Sequence, residues 1–310
     1  MRLVIIGQQD FGKAVLDAFL ARGDEVLAVF CAPEKEGAKA DPLRVAAQEK
    51  QITTYQFPSL KSPEAHQAMR QLRPDIGVMA YVLQFAPQDF VNIPQHGTIQ
   101  YHPSLLPKYR GPSSINWPII RGDTETGLTI FRPTNGLDEG PIILQKRVAV
   151  QEDDTLGSVY FNHLFPLGVE AMLEAADLVI QGQHREVPQD ETQASYEGWC
   201  RAEEARINWH NHVDYIYNLI RGCNPAPGAW TTLSGKKIQL FDVKKHVFRT
   251  FSQVHGKIGE ISQITEESFR ITAQGGQIEV IKLKHQDSKK MTVGEFIDTF
   301  QVSEGTLLNS

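Results

Sequence analysis

Residues 3–81 alternate short apolar runs with amphipathic stretches, and this alternation leaves few architectures open. Leu3-Val4-Ile5-Ile6 reads as a short buried strand. From Phe11 to Arg22, residues Phe11, Val15, Leu16, Phe19 and Leu20 share one helical face. Gly23-Asp24 ends that helix and Glu25 to Phe30 forms the next strand. Asp41-Pro42 pairs an N-cap with a first-turn proline, predicting a helix through Lys50. A strand over Thr53 to Phe57, a helix from Ser62-Pro63 to Leu72 and a strand from Asp75 to Tyr81 complete the series. The β-α-β-α order predicts an α/β fold with a doubly wound parallel sheet. Such sheets gather ligands at the carboxyl ends of their strands.

The second half has another texture. Thr126 to Phe131 and Ile142 to Arg147 are strand-like, and Ser114 to Arg121 reads as a short helix. Thr155 to Gly182 is helical, with Pro166 set to kink or split it. Gln183 to Ser195 is polar and contains proline, as a linker does. A helix over Val213 to Arg221 precedes short strands at Trp230 to Thr232, Ile238 to Phe241, Gly256 to Ile261, Ser268 to Thr272 and Gln277 to Leu283. Several short strands with glycine turns predict a small barrel. At 310 residues two domains are expected, placed at 1–203 and 204–310.

Composition limits the partners. Hydrophobic residues make up 41% and charged residues 22%, enough for a real core, and no apolar run approaches the ~18 residues that span a bilayer. Met1 to Gly7 is too short an apolar opening for a signal peptide. Cys31, Cys200 and Cys223 are odd in number and widely spaced, as reduced thiols of a cytoplasmic protein are. Residues 204–310 carry 13 Lys and Arg against 11 Asp and Glu, too small an excess to argue for nucleic acid. Neither a membrane nor a nucleic-acid partner is expected.

Chemistry concentrates around Gln100-Tyr101-His102-Pro103. A residue before proline is pushed to extended geometry, so His102 ends a strand. Strand side chains alternate, so Gln100 and His102 point the same way at the strand's carboxyl end. An amide beside an imidazole suits a reaction that develops an oxyanion and moves a proton. Asp138 follows in the glycine-bracketed turn Gly136-Leu137-Asp138-Glu139-Gly140, and neighbouring strand ends would bring its carboxylate to the imidazole. Such a pairing fixes the tautomer and raises imidazole basicity. A loop histidine also caps backbone, and a turn aspartate also bonds its own backbone; the residues alone leave these readings open.

Other motifs carry less. Gly7-Gln8-Gln9-Asp10-Phe11-Gly12-Lys13-Ala14 nearly matches a P-loop, but Ala14 stands where a magnesium-binding hydroxyl is needed. His210-Asn211-His212 lacks the surrounding ligands of a metal site and reads as a helix start. Lys236-Lys237 and Lys244-Lys245 read as a hairpin's charged edge, and Trp117 and Trp230 as packing residues.

His102-Pro103-Ser104-Leu105-Leu106-Pro107, then Arg110-Gly111, then Gly136 to Gly140 together resemble the signature of 10-formyltetrahydrofolate-dependent formyltransferases and hydrolases. The likeness is fullest to the N-terminal hydrolase domain of 10-formyltetrahydrofolate dehydrogenase. It extends through Ile5-Ile6-Gly7-Gln8, Ser114-Ile115-Asn116-Trp117, His163-Leu164-Phe165-Pro166, Ile220-Arg221-Gly222 and Pro227-Gly228-Ala229-Trp230. The resemblance implies a Rossmann-like catalytic domain followed by a barrel of the oligonucleotide-binding type. It implies catalytic roles for His102 and Asp138 and a pterin held by the backbone of Gln84-Phe85-Ala86 with Asp138 beside it. No metal is expected, because the amide-like formyl group on an arylamine is already activated.

One position departs from the family. Its transferases carry asparagine, and the dehydrogenase's hydrolase domain an aliphatic residue, where this chain has Gln100. The expected chemistry is attack on the N10-formyl carbon, with His102 donating to the tetrahedral intermediate, Asp138 orienting His102, and Gln100 as a second oxyanion donor. Water is the first acceptor expected. The alternatives are a small amine (an amino sugar or hydroxyornithine) and methionyl-tRNA. Against the last, residues 33–41 are of mixed charge where a basic loop would be needed. A folate-binding module without turnover is a further class, disfavoured by the presence of both His102 and Asp138.

Overall fold

The computed structural model describes residues 1–248, 256–286 and 288–309. They form two compact units. One comprises Met1–Gly111, Gly127–Val148 and Phe161–Tyr196; the other comprises Pro112–Thr126, Ala149–Tyr160 and Glu197–Ser310.

In the first unit the expected alternation is present: β1 (Arg2–Gly7), α1 (Gln9–Ala21), β2 (Glu25–Phe30), α2 (Pro42–Glu49), β3 (Thr53–Tyr55), α3 (Pro63–Leu72), β4 (Ile76–Ala80), α4 (Gln88–Val91) and β5 (Thr98–His102). With β6 (Glu125–Phe131) and β7 (Ile142–Ala149) the strands lie in the order β3-β2-β1-β4-β5-β6-β7. Pairings from β3 across to β5 are parallel, and β5 with β6 is antiparallel. The chain winds outward from β1, then returns to place β4 on the other side of it: a Rossmann-like doubly wound sheet.

Parallel strands covered on both faces read as continuous apolar runs, and Leu3, Val4 and Ile5 are fully buried. On one face Val4, Ile6, Ala28 and Phe30 pack with Ala65, Met69 and Phe90. On the other, Phe11 of α1 lies 4.4 Å from the ring of Tyr101 and 5.5 Å from that of Phe165. Phe165 opens α7 (Phe165–Ile180), with Pro166 in its first turn. The helix expected from Thr155 is therefore divided, into α6 (Leu156–Val159), a π-helical turn over Tyr160–Leu164, and α7.

The loop with P-loop spacing has another explanation. A Cβ on Gly7 would lie 1.9 Å from the Ala80 carbonyl oxygen, so glycine lets β1 and β4 approach. The start of α1 faces Asp41, whose Oδ2 accepts from the Gln9 N–H at 2.9 Å. The other oxygen of Asp41 caps α2, accepting from Leu43 at 3.0 Å. One buried carboxylate thus serves two helix starts.

The second unit holds α5 (Asn116–Arg121), α6, α8 (Val213–Gly222) and an antiparallel sheet. Its strands are β8 (Trp230–Leu233), β9 (Lys236–Val247), β10 (Ile261–Ile264), β11 (Phe269–Ala273), β12 (Gly276–His285) and β13 (Lys290–Thr292), followed by α9 (Val293–Phe300). The order is β10-β11-β12-β9-β8, with β13 beside β12. Residues 305–309 lie between the outer strands. Asn309 exchanges backbone hydrogen bonds with Thr232 of β8, while Ile261 of β10 donates to Thr306 at 2.9 Å. This curls the sheet into the expected small barrel around Trp209, Ile216, Ile220, Phe269, Ile278 and Phe296.

Two local expectations change. The strand expected over Gly256 to Ile261 begins only at Ile261, because 258–259 form a turn and Glu260 makes only an isolated bridge to Leu307. Lys244-Lys245 lie inside β9 opposite Glu279 and Ile278, not at a hairpin edge. The Lys245 ammonium is 2.7 Å from an Asp214 carboxylate oxygen, so its charge is answered inside the unit. Cys200 and Cys223, far apart in sequence, bring their sulfurs within 3.7 Å as buried free thiols. Among the described residues no helix is long and apolar enough to cross a membrane.

Candidate active site

His102 is the last residue of β5 and is 6% exposed. Beyond it, residues 103–111 form a loop folded around two hydroxyls. The Thr129 hydroxyl, opposite His102 in the β5·β6 register, donates to the Ser104 carbonyl at 2.7 Å and accepts from the Leu106 N–H at 3.1 Å. The Ser104 hydroxyl donates to the Lys108 carbonyl at 2.7 Å. The Gln145 amide then donates to the Leu106 carbonyl at 2.8 Å and to the Thr129 hydroxyl at 3.0 Å. The loop turns back so that the Tyr109 carbonyl oxygen lies 2.8 Å from His102 Nε2. A carbonyl only accepts, so Nε2 carries the proton. In the neutral ring Nδ1 is then an unprotonated acceptor.

Asp138 arrives by a route the sequence did not indicate. Because β6 runs antiparallel to β5, Phe131 lies opposite Gln100, and β6 ends away from the carboxyl end of β5. Residues 132–141 fold back instead, closed by a hydrogen bond from the Arg132 N–H to the Pro141 carbonyl at 3.0 Å. Asp138 adopts a left-handed φ of 54°. Its Oδ2 accepts from the Gly111 N–H at 2.9 Å and stands 3.6 Å from His102 Nδ1. The expected meeting of His102 and Asp138 is present, but the ring's tautomer is held by Tyr109, and 3.6 Å is too long for a direct hydrogen bond. Two acceptors, Nδ1 and Oδ2, face one another at the spacing that one incoming proton donor bridges.

Gln100 shares the His102 face of β5 and is half-buried. Among the described residues no hydrogen bond engages its side chain. The segment Gln84-Phe85-Ala86 follows β4. The Gln84 amide donates to the Phe57 carbonyl at 2.8 Å, Ala86 is buried, and Phe85 is half-exposed with Lys61 Nζ 4.7 Å from its ring centroid. The Gln88 N–H bonds Asn135 Oδ1 at 3.0 Å, tying this stretch to the loop that carries Asp138. Tyr81, Leu83, Phe85 and Leu137 of these two loops leave about half their surface open, an apolar rim.

Asn116, Trp117, Trp230 and His212 take structural roles. The Asn116 amide donates to the Gly222 carbonyl at 2.9 Å, Trp117 and Trp230 pack against the second unit's core, and His212 caps α8. No group of His, Cys, Asp and Glu that could hold a metal ion occurs among the described residues. Thr129, Gln145 and the Tyr109 carbonyl were not read as site residues. They act through single contacts across the fold, which leave no periodic trace in a sequence.

The formyl transferase family model matches residues 1–175, and the formyl transferase C-terminal domain model matches residues 200–301. The chain belongs to the formyl transferase family and is an enzyme of that family. It is 40% identical over 247 residues to the cytosolic 10-formyltetrahydrofolate dehydrogenase of Mus musculus, covering 78% of this chain and 27% of that protein. Thus the chain spans about a quarter of the length of that relative. It is 32% identical over 311 residues to the methionyl-tRNA formyltransferase of Syntrophus aciditrophicus (strain SB), covering 99% of this chain and 98% of that one. Among solved structures, HypX from Aquifex aeolicus in complex with tetrahydrofolic acid superimposes with a TM-score of 0.69 at 18% identity, over 98% of this chain and 48% of HypX. At that identity the match speaks for the fold.

Proposed function

We propose that this enzyme cleaves the formyl group from 10-formyltetrahydrofolate, with water as the first acceptor. The observation that carries the reading is the His102 Nδ1 to Asp138 Oδ2 spacing of 3.6 Å, with Nε2–H already committed to Tyr109. Only Nδ1 is then left to the reactants. As the nucleophile attacks the formyl carbon, its proton passes to Nδ1. The resulting imidazolium donates at both nitrogens, to the Tyr109 carbonyl and toward the oxyanion, with the Asp138 carboxylate beside it. Collapse of the tetrahedral intermediate returns the proton from Nδ1 to N10 and releases tetrahydrofolate with formate. Gln100 is the candidate second donor to the oxyanion. Losing one such donor typically costs ~10²–10³ in rate, and acid–base help contributes ~10²–10⁴. The backbone of Gln84-Phe85-Ala86 is assigned to the pterin, with Asp138 beside it, and the exposed apolar rim beside that segment supports the assignment.

Transfer to an amine is the second reading, favoured by the end-to-end match to a transferase of similar length. Against transfer-RNA as that acceptor stands the 33–41 segment, whose Glu34 is engaged by Arg44, Gln56 and the Asp41 backbone. The deciding experiment follows tetrahydrofolate and formate from 10-formyltetrahydrofolate, alone and with amino sugars, hydroxyornithine or methionyl-tRNA. Formate equal to tetrahydrofolate in every mixture supports hydrolysis. Tetrahydrofolate without formate when an amine is added supports transfer. No turnover in any mixture refutes both.

A further inference from the structure

The stretch expected to be a linker, Gln183 to Ser195, is bonded to both loops of the candidate active site. At its far end the Ser195 hydroxyl accepts from the Tyr109 N–H at 2.9 Å, and the Ser195 carbonyl accepts from the Arg110 N–H at 2.9 Å. Between lies Gln189. Its Nε2 donates to the Asp138 carbonyl at 2.8 Å and to the Gly140 carbonyl at 2.7 Å. Its Oε1 accepts from Arg110 Nη2 at 2.8 Å and from Nε at 3.1 Å. The amide has one possible orientation, because guanidinium nitrogens only donate and carbonyl oxygens only accept. Arg110 is 7% exposed and pairs with Glu191 at 2.6 Å, so its charge is answered before it reaches Gln189.

This network meets the site at its most demanding points. Left-handed backbone costs a residue other than glycine roughly 1–2 kcal/mol and persists only where surrounding contacts fix it. Asp138 has that backbone, and its carbonyl is one of the two that Gln189 holds. The other belongs to Gly140, where a Cβ would lie 1.6 Å from the Arg132 carbonyl oxygen, so the turn is closed by contact on its far side too. Three successive residues then reach three parts of the site: the Tyr109 carbonyl holds the imidazole, Arg110 holds Gln189, and the Gly111 N–H holds the Asp138 carboxylate.

We infer that Gln189, locked by Arg110 and Glu191, is a positioning residue that sets the Asp138 carboxylate relative to His102. The inference rests on the catalytic reading of those two residues. It makes Gln189 a residue of the reaction although it touches neither substrate nor the reacting atoms.

Gln189→Glu is the sharp test, because it keeps size and the acceptor facing Arg110 while replacing the donor with a carboxylate oxygen aimed at two carbonyls. It is compared with Gln189→Ala, Asp138→Ala and wild type in kcat, in affinity for a tetrahydrofolate analogue, and in amide hydrogen exchange of residues 136–140. The expected result is a fall in kcat of about 10²-fold, the scale of a small misplacement, with analogue affinity within about threefold. Exchange over 136–140 should be faster. The rate of Gln189→Glu relative to wild type should recover as pH falls, because a protonated carboxyl donates again. Unchanged exchange in both Gln189 variants overturns the inference, as does kcat within twofold of wild type. Loss of analogue binding in step with kcat also overturns it, since that marks a general disruption. Wild-type turnover in Asp138→Ala refutes the catalytic reading instead, and exchange then still decides whether Gln189 holds the turn.

Discussion

The His102 imidazole is oriented by the Tyr109 carbonyl, 2.8 Å from Nε2, and not by the carboxylate that faces its other nitrogen. A main-chain oxygen seven residues on is less easily lost to substitution than a side chain. The neutral tautomer should therefore survive removal of Asp138. Imidazole nitrogen NMR of Asp138→Ala is expected to show the proton on Nε2, as in wild type. A switch to Nδ1–H in the variant would return tautomer control to Asp138.

His102→Ala and Asp138→Ala should each lower turnover by at least ~10²-fold, the scale of lost acid–base help. Circular dichroism should stay near wild type, because neither residue belongs to the buried apolar core, and folate-analogue binding should be largely kept, because the pterin is assigned chiefly to the backbone of Gln84-Phe85-Ala86. A variant that keeps more than about a tenth of the rate removes its residue from the mechanism.

Gln100 should govern rate more than binding. The bond it offers strengthens as negative charge grows on the formyl oxygen, so its worth appears in the transition state. Gln100→Leu is expected to lower kcat about 10²-fold with donor affinity unchanged, and Gln100→Asn to be tolerated. Equal rates for Gln100→Leu and wild type would make the amide a bystander.

Thr129→Val tests the loop that carries the Tyr109 carbonyl. It removes the hydroxyl that joins Ser104, Leu106 and Gln145, and leaves buried polar groups without partners. The expected cost is about 1–3 kcal/mol in urea unfolding, with kcat falling as the loop relaxes. Stability and kcat both at wild-type values would show that the loop holds without it.

Glu34 predicts an acid-sensitive step. Burial pushes its carboxyl up, but hydrogen bonds from Gln56, the Asp41 backbone and Arg44 outweigh that and hold it down at about 2. A carboxyl held down in the folded state contributes stability above its unfolded value of about 4.3, and the contribution is lost as pH falls toward 2. Urea midpoints measured from pH 5 to pH 2 should fall more steeply for wild type than for Glu34→Gln. Parallel curves would show that Glu34 has no such linkage.

The first unit's sheet was legible because its strands are buried on both faces and its helices announce themselves. Asp41-Pro42 and Ser62-Pro63 read as helix starts, and both side chains cap as read. The full length of β9 was hidden by Asp242, Lys244 and Lys245, whose polarity breaks the apolar pattern although all three lie in register with β12 and Lys245 is answered by Asp214. At the site, Gln100 and His102 could be placed on one face by strand period alone. The Asp138 carboxylate is met by the Gly111 N–H across 27 residues and Gln189 holds the Asp138 carbonyl across 51, and no local pattern encodes those contacts.

Asp41 has a consequence for how such a fold is put to use. The first strand-to-helix turn of a doubly wound sheet is a natural seat for phosphate, because unpaired amides and the helix dipole gather there. In this chain a carboxylate from the next crossover takes a place at that seat and caps a second helix from the same position. The unit carries its own counter-ion, as an internal salt would. Its opening turn is neutralised by folding itself, and a ligand that binds elsewhere on the sheet need not bring an anion there.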